Sequence, residues 1–306
     1  MFRIFFATDI HGSDVCFKKF LRAAEMYKPQ ALMLCGDITG KFVVPIIRQK
    51  DGTFNARHQG SDLVLKEDEL VGLEKKIADV GSYSYRLDSS EADKLTEEYS
   101  KKMFYEKMHE RLRGWISSAE ERLADRKISC YISPGNDDEF HIDDILKSSS
   151  YIEYCEEKVV DVGGCEMATL AWTNPTPWNT ARECSEEELA QRIEKLLSGV
   201  SNIKDSIFNF HCPPFDSGLD AAPELTKDLK ARIEMVPVGS PSVRKAIETY
   251  QPMLGLHGHI HESRGALSIG RTLCINPGSE YGEGILRGAV VNIEKGSVKG
   301  YLLTSG

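Results

Sequence analysis

The chain has 306 residues, 41% apolar and 28% charged, a balance that fits a globular protein long enough to bury a sizeable core. Its formal charge of −9 runs against the basic face that nucleic acid and anionic membranes favour, yet it allows a phosphorylated substrate where bound cations dominate the local field. No apolar run approaches the roughly 18 residues a membrane span needs, and MFRIFFATDIHG enters a strand with no small-residue cleavage site behind it, so a cytoplasmic location is expected.

In chain order, FRIFFAT (2–8) and ALMLC (31–35) are continuous apolar runs, and DVCFKKFLRAAEMYK (14–28) between them repeats apolar residues at helical spacing. Such a strand–helix–strand unit implies parallel strands covered by helices, with polar residues gathered at the strand ends. Residues 41–127 interrupt the pattern. FVVPIIRQKDGTFNARHQGSDLVL (42–65) predicts a hairpin turning at Asp51-Gly52, and KEDELVGLEKKIADVG (66–81) a helix closed by Gly81. From Glu91 to Ala124 a single charged helix is expected, roughly 50 Å long. Leu95, Tyr99, Met103, Met108, Leu112, Ile116, Ala119 and Leu123 form its apolar stripe. The stripe needs cover, either from this chain or from a second copy in a homodimer built through the 41–127 segment, and the sequence leaves both open.

KISCYIS (127–133) resumes the strands. EKVVDVGGCEMATLAW (157–172) predicts a hairpin at Gly163-Gly164, followed by a proline-rich loop, TNPTPWNTARE (173–183). A helix opens at Ser185, with Glu188 placed to complete a capping box. DSIFNFH (205–211) and PMLGLHGH (252–259) are strands ending in histidine, and TLCINPGS and LRGAVVNIEKGSVKGYLL supply the last strands. The eight cysteines contain no CxxC pair, and Cys35, Cys130 and Cys274 sit in apolar runs as reduced, small hydrophobes.

At nearly every strand end stands a residue able to bind a metal: Asp9 and His11, Asp37, Asn136, His211, then His259 and His261. A parallel sheet brings its strand ends together, so these seven side chains converge. Imidazole and carboxylate mixtures suit Mn, Fe, Zn or Ni, and the lack of a thiolate argues against a structural zinc. Seven ligands exceed the needs of one ion and suffice for two if one carboxylate bridges. His257 is expected to pack under the site, and His58, His109 and His141, with no motif around them, to be solvated.

Asp-x-His, Gly-Asp, Gly-Asn, a lone His and Gly-His-x-His, in this order over residues 9–261, resemble the calcineurin-like metallophosphoesterase superfamily. The resemblance implies a four-layer α/β/β/α sandwich over 1–306 as one domain, with 41–127 inserted as a hairpin and a long helical segment. It places Asp9, His11, Asp37 and His261 around a first divalent metal ion, and Asp37, Asn136, His211 and His259 around a second, with Asp37 bridging. Manganese leads, with Fe, Zn or Ni as alternatives. The implied activity is hydrolysis of a small phosphodiester or pyrophosphate-type ester by a hydroxide that bridges the two ions. HCPPF (211–215) and NPGS (276–279) resemble loops near the site in that superfamily. Trp178 could stack on a ring of the substrate, Arg182 pair with its phosphate and Ser279 touch it; a rigid loop and a turn are the plainer readings of the same residues.

One position departs from the pattern. PGNDDEF (134–140) carries Asp137 where the superfamily usually has a histidine that assists the leaving group. Beside two cations an aspartate is expected to be ionised and a poor proton donor. Three readings follow: the enzyme cuts esters whose leaving group needs little help, another residue such as His141 or His257 acts as the acid, or the chain is a catalytically weak scaffold that works through the 41–127 segment. A nuclease is disfavoured by the acidic balance and by the lack of a Lys/Arg cluster near the motifs.

Overall fold

The structure of the protein, a computed structural model, describes residues 1–226, 228 and 230–306. The chain opens with strand β1 (Phe2–Ala7), helix α1 (Asp14–Met26) and β2 (Ala31–Cys35). Next come β3 (Val43–Arg48), β4 (Phe54–His58), β5 (Ser61–Leu65), α2 (Leu70–Asp79), β6 (Tyr83–Asp88) and the long α3 (Glu97–Leu123). Then follow β7 (Ser129–Ser133), α4 (Ile142–Lys147), β8 (Ile152–Tyr154), β9 (Val159–Val162), β10 (Cys165–Leu170), α5 (Glu186–Leu197) and β11 (Ile207–Phe210). The remainder is β12 (Ala221–Leu225), β13 (Ala231–Pro237), α6 (Pro241–Tyr250), β14 (Leu254–Leu256), β15 (Gly265–Ile269), β16 (Thr272–Asn276), β17 (Arg287–Glu294) and β18 (Ser297–Ser305).

Two six-stranded sheets carry the fold, in the orders β18-β17-β1-β2-β7-β8 and β15-β16-β14-β11-β10-β9. In the first, β1, β2, β7 and β8 are parallel; in the second, β10, β11, β14 and β16 are. Alternation along β1 shows how the layers form. Ile4 and Phe6 point into the core between the sheets, against Met167, Ile207 and Leu254. Phe5 and Ala7 point the other way, under α1 and α3. Helices α5 and α6 cover the outer face of the second sheet with Leu189, Ile193, Val243 and Ile247. The result is the expected four-layer α/β/β/α sandwich. Its central strands read as unbroken apolar runs because both of their faces are buried.

The segment between β2 and β7 is more than the expected hairpin and helices. Its strands form a four-stranded sheet, β5-β4-β3-β6, in which β6 lies parallel to β3. The Asp51-Gly52 turn forms as expected, and a second turn at Gln59 and Gly60, both at positive φ, adds β5. Val44, Ile46, Phe54, Leu70, Leu73 and Ile77 give this sheet a small core of its own under α2. Helix α3 starts at Glu97, not Glu91, because the Thr96 hydroxyl caps the Tyr99 amide, and Ser89–Lys94 form a 3-10 turn. At Ser185 only half of the capping box forms: the Ser185 hydroxyl accepts from the Glu188 amide, while the Glu188 carboxylate turns to Arg192. The exposed hairpin β12–β13 was not anticipated; its second strand, ARIEMVP, alternates apolar and polar residues yet faces solvent, with Ile233 and Met235 exposed.

The stripe on α3 is covered by this chain. Met108, Leu112, Trp115, Ala119 and Leu123 join the core beneath α1 and the first sheet. Toward its start the helix lies on β6, with Phe104 edge-on to Tyr83 and Tyr99 beside Tyr85. Trp115, absent from the expected stripe, stacks on Phe17 at 4.3 Å and donates its indole N–H to Asp14 at 3.0 Å. Among the described residues no helix is long and apolar enough to cross a membrane. All eight cysteines are free and buried.

If α3 is anchored through Trp115, Trp115→Ala should lower the urea unfolding free energy by about 3–5 kcal/mol, and Trp115→Phe, which keeps the stack on Phe17, by clearly less. Equal losses in the two variants would show that the stack is not what holds the helix.

Candidate metal centre

The site is built where the parallel strands end. After β1, Asp9 and His11 take left-handed backbone conformations at φ 52° and 40°, as do Asp37 after β2 at 38° and His259 after β14 at 68°. Non-glycine residues rarely sit there, and such strain gathers at functional sites. Backbone hydrogen bonds hold the turns in register, from Asp9 N–H to the Gly36 carbonyl and from His11 N–H to the Asp37 carbonyl, both 2.9 Å. Asp138 ties two of the loops together. Its buried carboxylate accepts from the amides of Ile38 (2.9 Å), Thr39 (2.8 Å) and Gly135 (2.9 Å). The glycine of the Gly-Asn motif is a packing requirement: a Cβ on Gly135 would lie 2.2 Å from Asp37 Oδ1.

The seven expected residues converge. Asp9, His11 and His261 form one group able to hold a metal ion, and Asp37, His211 and His259 form another, with the atoms of each group within 4.8 Å of one another. Nε2 of His11 and Nε2 of His261 face each other at 3.1 Å, and His261 Nε2 lies 3.5 Å from Asp9 Oδ1. Asp37 spans the two groups, with Oδ2 3.7 Å from His11 Nε2 and Oδ1 3.6 Å from His211 Nε2. Asn136 Oδ1 is 3.1 Å from His211 Nε2, and its Nδ2 donates to Thr180 Oγ1 at 2.7 Å. A third group adds Asp137 to His11 and Asp37. Lone pairs from imidazoles and carboxylates aimed at shared points make a donor set that fits divalent transition metals.

The charges at Asp9, Asp37, His11 and His259 agree with that fit, while His211 holds a proton that a bound metal would displace. Burial alone would raise the Asp9 and Asp37 carboxyls, but the surrounding histidines, His211 foremost, hold both well below the usual carboxylate range. Burial pushes His11 down to about 3 and His259 to about 4, so both rings are neutral, as ligands must be. Burial would also lower His211, but Asp37 and Asp9 lift it to about 9. Asp137 feels opposing influences. Burial and the neighbouring Asp37 push its carboxyl up, while an ion pair with Lys41 opposes them.

The other expected residues fall elsewhere. Arg182 is only 1% exposed and does not face a substrate: its guanidinium pairs with Asp143 at 2.6 Å, donates to the Asp138 carbonyl and lies over the Phe140 ring. Its role is to brace the 134–143 loop. The backbone of the same loop reaches the site, since Arg182 N–H donates to the Asn136 carbonyl at 3.0 Å. Trp178, 64% exposed, stands on the 173–183 loop. Ser279 takes the turn role, with its hydroxyl donating to the Asp9 carbonyl at 2.6 Å. His257 lies buried under the site, its Nδ1–H on the Phe210 carbonyl at 2.8 Å. His109 and His141 are not solvated singly; their rings meet at 2.9 Å between α3 and the start of α4. Sequence reasoning missed Lys41 and Tyr281, whose ring lies 4.6 Å from that of His11. The signal for Lys41 was its place four residues after Asp37, in the same strand-end loop.

Comparison with known proteins fits this fold. No protein-family profile matches the chain. An uncharacterized protein of Methanocaldococcus jannaschii is 34% identical over 146 residues, which are 47% of this chain and 61% of that protein. The match thus spans less than two thirds of the relative's length. A crystal structure of the Thermus thermophilus protein TT1561 aligns over 99% of this chain and 97% of its own, at TM-score 0.52 and 14% identity. Another crystal structure aligns over 99% and 98% at TM-score 0.55, also at 14% identity. At this identity the likeness is one of fold, two six-stranded sheets layered between helices.

Two outcomes check this description. Arg182→Met should destabilise the fold by at least about 2 kcal/mol in chemical denaturation, because Asp143 and the Asp138 carbonyl lose their partner; an unchanged midpoint would return Arg182 to the substrate side. Since His211 carries a proton at neutral pH that a cation must displace, Mn²⁺ affinity should rise from pH 6 to pH 8, with proton release seen as a buffer-dependent calorimetric enthalpy.

Proposed function

We propose that the protein is a metal-dependent phosphoesterase that holds two divalent transition-metal ions, manganese first among them, and hydrolyses a small phosphodiester or a pyrophosphate-type ester. One observation carries the reading: two His/Asp groups at the strand ends share Asp37, whose two carboxylate oxygens face different histidines. Asp9, His11, Asp37 and His261 would hold one ion, and Asp37, Asn136, His211 and His259 the other. When bound, such ions supply positive charge for phosphoryl oxygens and lower the pKa of a shared water.

The chain's own residues do the rest. Asp9 and Asp37 supply the anionic charge that retains the cations. Asn136 contributes a neutral oxygen, which leaves the loaded site attractive to phosphate. Thr180, which accepts from the Asn136 amide, links that side chain to the 173–183 loop where Trp178 stands. Asp137 is engaged with Lys41 and gives no free acid at its position. A leaving group that departs without a proton is therefore favoured, which is why pyrophosphate-type and aryl esters lead the substrate classes.

The test is hydrolysis of bis-p-nitrophenyl phosphate and p-nitrophenyl phosphate by protein stripped of metal and then reloaded with Mn²⁺. Turnover should return on reloading and fall at least about a hundredfold in Asp37→Ala. Asp137→His should gain on alkyl esters, whose leaving groups need a proton. Full metal loading without turnover on any ester would favour the scaffold reading instead.

A further inference from the structure

The segment between β2 and β7 is tied by its backbone to the candidate metal centre. Gly40 and Gly81, at its start and just beyond α2, press against the loop that carries His11. A Cβ on Gly81 would lie 2.0 Å from the His11 carbonyl oxygen, and one on Gly40 would lie 1.8 Å from the Gly81 carbonyl oxygen. From β6, Tyr83 accepts from the Gly40 amide at 2.9 Å, and from α3, Arg111 donates to the Gly12 carbonyl at 2.8 Å. The residue after Gly40 is thereby fixed beside the site, and it is Lys41.

The ammonium of Lys41 pairs with Asp137. Asp137 is itself placed by the site: its amide donates to Asp37 Oδ1 at 2.9 Å, and its Oδ2 lies 3.8 Å from His11 Nδ1, a buried nitrogen with no hydrogen-bond partner of its own. The Asp137 side chain is 20% exposed and that of Lys41 45%, so the pair reaches solvent beside the centre. An ammonium has three donors; a single carboxylate leaves donors free. Asp37 and Tyr281 are near enough to act on the Lys41 charge, and Lys41 acts on that of His11.

We propose that Lys41 is a phosphoryl-binding residue of this site, carried in by the 41–127 segment and held in place by Asp137. This rests on the phosphoesterase reading above and extends it. A fixed point charge next to the cations recognises an anionic phosphoryl oxygen. Asp137 then acts as a positioning residue, and the site favours substrates that bring a second negative charge, such as pyrophosphate-type esters, over singly charged diesters.

The probe is inorganic phosphate, titrated calorimetrically into Mn²⁺-reloaded protein whose metal content has been measured. Lys41→Met should weaken phosphate binding by about tenfold or more at unchanged metal content, with Lys41→Arg recovering most of the loss. Asp137→Asn should weaken it by a smaller factor, since the ammonium stays but loses its anchor. In turnover, Lys41→Met should raise KM more than it lowers kcat. Phosphate affinity within about twofold of wild type in Lys41→Met, at equal Mn²⁺ content, would overturn the proposal, as would a loaded wild type that binds no phosphate. If the loaded wild type binds phosphate but hydrolyses no ester, the phosphoesterase reading fails alone, and the Lys41→Met titration still decides the role of Lys41.

Discussion

The site depends on one buried carboxylate. Asp37 ends a central strand of the first sheet, and its two oxygens face His11 on one side and His211 on the other. His211 comes from the second sheet, so Asp37 is also where the two halves of the sandwich meet chemically. Leaving such a charge buried without a partner costs several kcal/mol. Here its partners are imidazoles and the Asp137 amide, all delivered by strand ends. The parallel order β1-β2-β7 and the matching order β14-β11-β10 are what make the delivery possible. An antiparallel arrangement would send alternate strand ends away from the centre.

Two adjacent carboxylates show how environment divides roles. Asp138 is fully buried and accepts three backbone amides, so it clamps the loop after β2 to the loop after β7. Burial and Asp37 still push it up, to about 6, which marks how much the clamp must offset. Asp137, one residue earlier, is part-exposed and pairs with a lysine. The sequence alone presents them as one acidic pair; the fold makes one structural and turns the other toward solvent and Lys41.

Much of this was legible in the sequence, for a physical reason. Strands buried on both faces leave unbroken apolar runs, and each run ended in a glycine or turn followed by a side chain with lone pairs. The glycine of Gly135-Asn136 is demanded by backbone approaching a carboxylate, so motif and packing record the same constraint. What stayed hidden was long-range. The pairing of β3 with β6 joins segments separated by two strands and a helix, and no local period encodes it. Arg182 looked like a phosphate ligand because its loop is polar and rich in proline. Its guanidinium instead satisfies Asp143, a partner 39 residues away that only the folded chain supplies.

The same limit explains the 41–127 segment. Read locally, its helix asked for a partner surface, and a second copy of the chain was one answer. In the folded chain the stripe of α3 is spent on α1, on the first sheet and on β6. What α3 and β6 do beyond burying themselves is to hold the Gly12 and Gly40 loops, through Arg111 and Tyr83, whose ring the Arg111 guanidinium also covers at 4.4 Å. Loops that carry strained backbone keep it only when their surroundings over-determine them. His11 is such a residue, and the Arg111 bond falls on its immediate neighbour Gly12, while the Tyr83 bond holds Gly40 in the adjoining loop. The segment is therefore mechanically part of the candidate centre, whatever else its exposed faces contact.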